Sequence, residues 1–390
     1  MKILMILDHE FPPDIRVENE AQALQNAGHE IHIACYTQKH KPDTDNYKGI
    51  IIHRKPISKL LYKSSVGCLR FPFYFNFWRV FVREILHLQK FDAIHVHDLP
   101  LAKVGWEFSK EFGIPFVLDL HENWPALLRI SDHTNTFLGK LLSINSQWIN
   151  YELKYCKNTE KIIVVVEEAA HRLGNIGIDK KKILVVSNTL NTDSFKMPSA
   201  SPDSDFLTLF YAGGINRHRG LQYIIKGLKF VKSDKKIRVW LLGSGSYVEE
   251  LKKIASDEKV IDNVEFFGWK NFEEMNEMMG KADVCLIPHQ KSDHTDTTIP
   301  HKLFQYMYAG KVIATSNCLP LARIVGETQS GIIYQWDNPK DFADKLTNLI
   351  NRPGEIQKMA ENGRQRVVEK YLWDFDSERL IEMYKSLMHG

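Results

Sequence analysis

The chain lacks paired cysteines, long apolar runs and any strong bias of charge, and each absence removes a class of function. Its five cysteines, Cys35, Cys68, Cys156, Cys285 and Cys318, form no Cys-x-x-Cys pair and no Cys/His zinc spacing. Free thiols in a reducing, cytoplasmic setting are therefore expected. No apolar run approaches the roughly 18 residues of a membrane-spanning helix. The apolar start, residues 1–7, is cut short by Asp8, His9 and Glu10, too soon for a secretory leader. A formal net charge of +3 over 390 residues gives no broad positive field, so no nucleic-acid partner is expected. No Gly-x-Gly-x-x-Gly follows the first strand-like segment, which disfavours a nicotinamide-dependent Rossmann dehydrogenase. Asp43-Thr-Asp45 and Asp203-Ser-Asp205 have the spacing of a metal-binding acidic pair but lie in Pro/Ser/Asp-rich turns. No metal is expected.

What is present reads as a soluble two-domain protein. Hydrophobic residues make up 44% and charged residues 25%, the balance of a globular chain, and the length exceeds one ordinary domain. Short apolar segments alternate with amphipathic helical ones, from residues 2–7 and 30–36 through 93–97, 116–119, 162–166 and 183–186. The alternation restarts at 206–212 and continues through 237–242, 264–267, 284–287, 312–314 and 332–334. This is the pattern of parallel sheets with helices on both faces. The expected organisation is an N-terminal Rossmann-like domain, 1–190, then a Ser/Pro/Asp/Thr-rich linker, 191–205. A C-terminal Rossmann-like domain, 206–372, and a terminal amphipathic helix, 373–390, follow.

The richest stretch is 296–315, Asp-Thr-Thr-Ile-Pro-His-Lys-Leu-Phe-Gln-Tyr-Met-Tyr-Ala-Gly-Lys-Val-Ile-Ala-Thr. A polar loop with Thr297 and Thr298 runs into a helix that stops at Gly310, and a β-branched strand follows. Free N–H groups at such a helix start, with the positive end of its dipole, favour phosphate. Upstream, Gly213-Gly214-Ile215 follows a strand and leads to Arg217, Arg219 and Gly220. Glycines admit a close backbone approach, and an arginine fork neutralises a diphosphate. The bland alternative is a turn with solvated arginines. A second turn, Gly243-Ser-Gly-Ser246, follows the next strand.

Together these segments resemble the donor-binding half of family 4 retaining nucleotide-sugar glycosyltransferases of the GT-B fold. The resemblance extends over nearly the whole chain. It includes Asp92-Ala-Ile-His-Val-His-Asp98, Asp119-Leu-His121-Glu122 and Asn188-Thr-Leu-Asn-Thr-Asp-Ser-Phe195. It implies two Rossmann-like doubly wound parallel-sheet domains facing a central cleft, 1–190 binding the acceptor and 206–372 the nucleotide sugar, with the terminal helix crossing back to the first domain. It also implies hexosyl transfer from a nucleoside diphosphate sugar, used as donor substrate with no cofactor. The family carries two glutamates eight residues apart where this chain has Thr297 and Gln305. Gly213, Gly214 and Gly243 match the family's glycine turns, whereas its first cation is missing and Arg219 stands for a lysine. By this resemblance Arg219 and the helix start near Thr298 and Ile299 stabilise the leaving diphosphate. Gln305 then contacts ribose or diphosphate; replacing a carboxylate there costs about 1.5–3 kcal/mol of charge-assisted hydrogen bonding. Lys302 adds a cation or is a solvated helix lysine. Trp269 or Lys270 lies beside the base, or Trp269 packs on the sheet edge.

In the first half, His97 and His121 end strands beside carboxylates, where an imidazole donates a hydrogen bond or shuttles a proton; a satisfied structural histidine is the alternative. The resemblance places His121 against the donor sugar and its phosphate, with Glu122 as its neighbour. Arg16, in a glycine-free first loop, either reaches phosphate across the cleft or pairs with Glu18 or Glu20. Residues 48–90 interleave nine Lys and Arg with aromatics against the single acid Glu84. That mixture suits an anionic membrane surface or a lipid-linked acceptor, or else an ordinary amphipathic helix. The reading is a metal-independent glycosyltransferase acting on a glycan or lipid-linked acceptor in surface polysaccharide synthesis, cytoplasmic or peripheral on the inner face of the cell membrane. The altered glutamate positions leave open a binding or scaffold protein without transfer, and the fold leaves open a nucleotide-sugar epimerase.

Overall fold

The computed structural model describes residues 1–39, 41–131, 137–203 and 205–388. The chain divides into two compact units, Met1–Asn188 with Asp374–Gly390, and Thr189–Trp373. The first holds β1 (Lys2–Leu7), β2 (Glu30–Thr37), β3 (Thr44–Tyr47), β4 (Ile50–Pro56), β5 (Ala93–His97), β6 (Phe116–Leu120), β7 (Lys161–Val164) and β8 (Ile183–Val185). They form one sheet in the order β3-β4-β2-β1-β5-β6-β7-β8. The second unit holds β9 (Phe206–Ala212), β10 (Lys236–Leu242), β11 (Val264–Gly268), β12 (Val284–Ile287), β13 (Val312–Ser316) and β14 (Gly331–Tyr334), ordered β11-β10-β9-β12-β13-β14. In both sheets the chain order changes direction beside the first strand, β1 or β9, and ligands of doubly wound sheets bind beyond the strand ends at that point.

The strands are continuous hydrophobic runs because helices cover both sheet faces. Residues 3 to 7 of β1 and all of β5 are buried. The helix Ile15–Asn26 after β1 begins where the Asp14 carboxylate accepts the Val17 N–H at 2.9 Å. One strand departs from the all-parallel expectation. β3 pairs antiparallel with β4 through the two-residue turn Lys48-Gly49, both at positive φ, 52° and 88°, the backbone of a tight hairpin. Its polar sequence, Thr-Asp-Asn-Tyr, carries no hydrophobic strand signal, because β3 is an exposed edge.

The stretch 191–205, read from composition as a linker, packs on the second unit over much of its length. Phe195 is buried against Phe272 and Tyr308, and Asn276 Nδ2 donates to the Lys196 carbonyl at 2.7 Å. Ser204, in the discounted acidic motif, lies outside the described residues. Asp203 lies 3.4 Å from Arg238, and Asp45 pairs with the buried Arg54 at 3.0 Å. The terminal helix Trp373–Met388 returns to the first unit from Asp374 onward, and the buried Tyr384 hydroxyl lies 2.9 Å from His95 Nδ1. Residues 389 and 390 of that segment lie outside the described residues. Among the described residues no helix is long and apolar enough to cross a membrane.

The helix Ala102–Phe112 lies so close to the sheet that a Cβ on Gly105 would sit 2.4 Å from Val96 Cγ2 and 2.8 Å from Phe116. Gly105→Ala gains helix propensity, yet overpacking outweighs it. A net loss of about 1–3 kcal/mol is expected, read as a lower denaturant midpoint at unchanged slope.

Candidate functional site

In the first unit the strand ends gather imidazoles and carboxylates around one buried ion pair. Successive side chains alternate across a strand, so His95 and His97 share a face of β5 while Asp119 of β6 registers beside His97. The helix after β1 brings Arg16 and Glu20 onto that face. Arg16 Nη2 and Nε donate to Asp119 Oδ1 and Oδ2 at 2.8 and 3.1 Å, and Nη1 donates to the Val186 carbonyl and Asn188 Oδ1. Nη2 also lies 2.9 Å from Glu20 Oε1. Arg16 is buried, so it does not reach phosphate, and its pairing with Glu20 forms inside rather than on the surface. Burial favours a neutral Asp119, but the guanidinium and the His121 imidazole hold it well below the usual carboxylate range.

His121 sits between two acids, with Nε2 2.8 Å from Asp119 Oδ2 and Nδ1 3.4 Å from Asp98 Oδ2. Burial opposes its charge, yet these carboxylates push it up to about 10. His121 is thus an imidazolium at neutral pH. It offers positive charge rather than a free base, its two ring nitrogens facing the carboxylates. His97, fully buried and 3.2 Å from Asp119, is lowered by burial. Glu122 is half-buried in the turn after β6. Asp8, at the end of β1, is pushed up to about 7 by burial, against a hydrogen bond from Tyr74. Glu20, His95, His97 and Asp119 bring ligand-type atoms within 4.8 Å of one another, but Arg16, lying against both carboxylates, already supplies the cation.

The second unit has the opposite electrostatics. At the ends of β9, β10 and β12 the two glycine turns pack together. A Cβ on Gly243 would meet the Gly213 carbonyl at 1.9 Å, and one on Gly213 would meet Lys302 Nζ at 2.6 Å. Lys302 donates to the Ala212 carbonyl and lies 4.7 Å over the Tyr211 ring. Burial first, then Arg219, pushes it down to about 7. It is a half-buried lysine held against the Ala212 carbonyl and not the solvated helix lysine of the alternative reading. Arg219 Nη1 lies 3.1 Å from His289 Nε2, and its buried Nε has no partner among the described residues. Burial, Arg219 and Lys302 hold His289 far below its ordinary range. No carboxylate among the described residues pairs with Arg219 or Lys302. Gly220, at φ 76°, lets this turn approach, since a Cβ there would strike the Pro288 carbonyl at 1.7 Å.

The other expected donor contacts are placed differently. The helix spans Lys302–Tyr308 and so begins beyond Thr298 and Ile299, because Pro300 disfavours helical backbone at the residue before it. A short 3-10 turn, Thr295–Thr297, precedes it. The Thr297 hydroxyl donates to the Asp293 carbonyl at 2.7 Å and is spent locally. Thr298 is half-buried, Ile299 is buried in the core, and Gln305 is half-buried on the helix. Arg217 is exposed beside the half-buried Gly214. Trp269 is 78% exposed at the end of β11 rather than packed on the sheet edge, and Lys270 pairs with Glu274 at 3.0 Å.

Two family models match the sequence, Glycosyltransferase Family 4 over residues 15–194 and Glycosyl transferases group 1 over residues 193–366. The chain belongs to the family 4 glycosyltransferases. An uncharacterised glycosyltransferase of Methanocaldococcus jannaschii is 23% identical, covering 100% of this chain and 99% of its own. The phosphatidylinositol N-acetylglucosaminyltransferase gpi3 subunit of Schizosaccharomyces pombe is 19% identical over 98% of this chain and 80% of its own. Among solved structures, sucrose-phosphate synthase from Thermosynechococcus elongatus superposes with TM-score 0.78 at 15% identity, covering all of both chains. Anabaena HepE in complex with UDP and glucose superposes with TM-score 0.74 at 13% identity, over 99% of this chain and 100% of that one. The fold is GT-B.

Sequence reasoning on this glycosyltransferase missed Asp8, Asp98, Asp119 and His289 as site members. Each ends or directly follows a buried parallel strand, the signal that did find His97 and His121. In residues 48–90 much of the plain amphipathic reading holds. Arg54 is buried against the Phe11 carbonyl, Lys55 meets Glu84, and Arg79 and Arg83 meet Glu107 and Glu111, while Tyr74, Phe75, Trp78 and Phe81 enter the core. Leu60, Phe71 and Phe73 remain exposed beside Lys59, Lys63 and Arg70.

The raised His121 pKa fixes the sign of a pH effect. Its unfolded value is near 6.5 and its folded value about 10. The stability it contributes is therefore full below pH 6.5 and lost as pH rises towards 10. The gap in unfolding free energy between wild type and His121→Gln should shrink over that window in urea titrations, and a constant gap would contradict the ion triad.

Proposed function

We propose that this glycosyltransferase transfers a hexosyl unit, with retention, from a nucleoside diphosphate sugar to a glycan or lipid-linked acceptor of surface polysaccharide. It works on the cytoplasmic side, peripherally on the membrane through the exposed apolar and basic residues between Lys59 and Phe73. The observation that carries this reading is the pair of cations, Arg219 and Lys302, set beyond strand ends with no matching carboxylate among the described residues. Each lowers the proton affinity of its neighbours, so the unit is short of negative charge where a diphosphate binds in doubly wound sheets. That HepE, of the same fold, is solved with UDP and glucose supports a nucleoside diphosphate as the anion.

On this reading Arg219 and Lys302 neutralise charge building on the departing diphosphate, the electrostatic stabilisation that lowers such barriers most. Two side-chain cations then fill the role that a metal takes at other phosphate sites. The exposed Trp269 indole offers a stacking face to the base. The His121 imidazolium attracts the donor phosphate through its positive charge, while Asp98 and Asp119 take its two ring N–H groups and fix the ring. A second reading, nucleotide binding without transfer, is favoured by the Thr297 hydroxyl being spent on backbone and by the neutral Gln305.

In a thermal-shift screen nucleoside diphosphates should stabilise the protein, and Arg219→Ala should abolish the shift by weakening binding roughly tenfold to a hundredfold. No shift with any nucleotide would refute the transferase reading. Shifts without hydrolysis or transfer across a panel of nucleotide sugars would select the second reading. Lys302 predicts a pH dependence: below about 7 it is already charged, whereas above that value binding must first take up a proton. Diphosphate affinity should fall by up to tenfold per pH unit above 7, and Lys302→Met should remove the slope in calorimetric titrations.

A further inference from the structure

The first unit carries a cationic cavity that the imidazole cluster does not use. It measures about 340 Å³ and is lined from the helices Phe73–Leu88, Ala102–Phe112 and Asn145–Asn158, a size that suits a small polar ligand. Its charged groups are Lys103 and Lys154, its neutral hydrogen-bonding groups Gln147 and Asn150, and among the described residues no carboxylate lines it. The ammonium groups rest over aromatic faces, Lys103 Nζ 5.3 Å from the Phe75 ring and Lys154 Nζ 5.4 Å from the Tyr155 ring. A cation over a ring keeps its N–H donors available. Glu107, on the same helix as Lys103, is held by Arg79 through two hydrogen bonds of 2.7 and 2.8 Å. Two positive charges therefore line one cavity with no compensating carboxylate among the described residues.

The cavity adjoins the exposed apolar surface. Leu69 lines it, and the next residues, Arg70 and Phe71, lie in that surface. Phe71 and Phe73 stack at 6.3 Å with Phe73 61% exposed, and Leu60 is 84% exposed between Lys59 and Lys63. Large apolar side chains among lysines match the boundary between acyl chains and anionic headgroups. Tyr151, also lining the cavity, donates to the Pro100 carbonyl at 2.8 Å and accepts from the Lys103 N–H at 2.9 Å. This ties the cavity wall to the turn that carries Asp98, the partner of His121.

We infer that this cavity binds the phosphate headgroup of an anionic bilayer lipid while Leu60, Phe71 and Phe73 enter the acyl boundary. Its placement beside the turn at Asp98 makes it the seat of a lipid acceptor only if the transferase reading holds; the binding itself needs no transfer.

Sedimentation of the full chain with vesicles tests the assignment, using phosphatidylcholine alone and phosphatidylcholine with phosphatidic acid. Wild type should bind only the anionic vesicles. Lys103→Gln with Lys154→Gln should weaken that binding about thirtyfold, and Leu60→Ser with Phe73→Ser at least about tenfold. These residues are exposed or half-exposed, and an unchanged melting temperature shows that each variant is folded. Absent vesicle binding, or binding indifferent to the lysine pair, overturns the proposal. So does glycerol phosphate binding as tightly as the vesicles, which would make the cavity a site for soluble anions. If no nucleoside diphosphate shifts the melting temperature while vesicles still bind, the transferase reading fails and the lipid assignment stands.

Discussion

The first unit is organised around the buried contact between Arg16 and Asp119. An unpaired charge in that interior would cost several kcal/mol, so the two groups require each other and must meet at full hydrogen-bond geometry. Meeting joins the helix after β1 to the end of β6, and the remaining guanidinium donor takes the chain leaving β8 through Val186 and Asn188. Asp119, fixed as an anion, then sets the state of its neighbours. His121 is held charged between it and Asp98, and His97 and His95 stay neutral because burial and nearby positive charge outweigh the acid.

The second unit solves a different problem with the same strand-end geometry. Its cations are left unmatched, and the local structure is built to hold them close. Gly213 holds a φ of 145° that L side chains rarely adopt, Gly220 has no room beside the Pro288 carbonyl, and Gly243 yields to the Gly213 carbonyl. Arg219 and Lys302 raise each other's electrostatic cost without a ligand, a cost that a bound dianion would reverse. One unit carries its own neutralised charge network, and the other carries a charge deficit.

Much of this was legible in the chain itself. Alternating apolar segments gave most strands of both sheets, the resemblance of the motifs gave the GT-B class, and strand-end positions marked His97, His121, Arg219 and the glycine turns. The readings that changed share a cause. Arg16, Lys302 and Trp269 were each left between two environments, because a side chain's partner and burial depend on elements distant in sequence. Arg16 needed Asp119, more than a hundred residues away, before it could be seen as internal. β3 was invisible because an exposed edge strand needs no hydrophobic pattern, and the helix near Thr298 started late because of one proline.

The sequence alone determined the parallel-sheet fold class and the set of chemical groups, since periodicity and local turn chemistry act over a few residues, and its motifs carried the resemblance to the family. Tertiary structure decided which of those groups are charged, which are spent on backbone and which remain exposed. The physical reason is that protonation and pairing follow local dielectric and the positions of other charges, and folding brings those together without regard to separation along the chain.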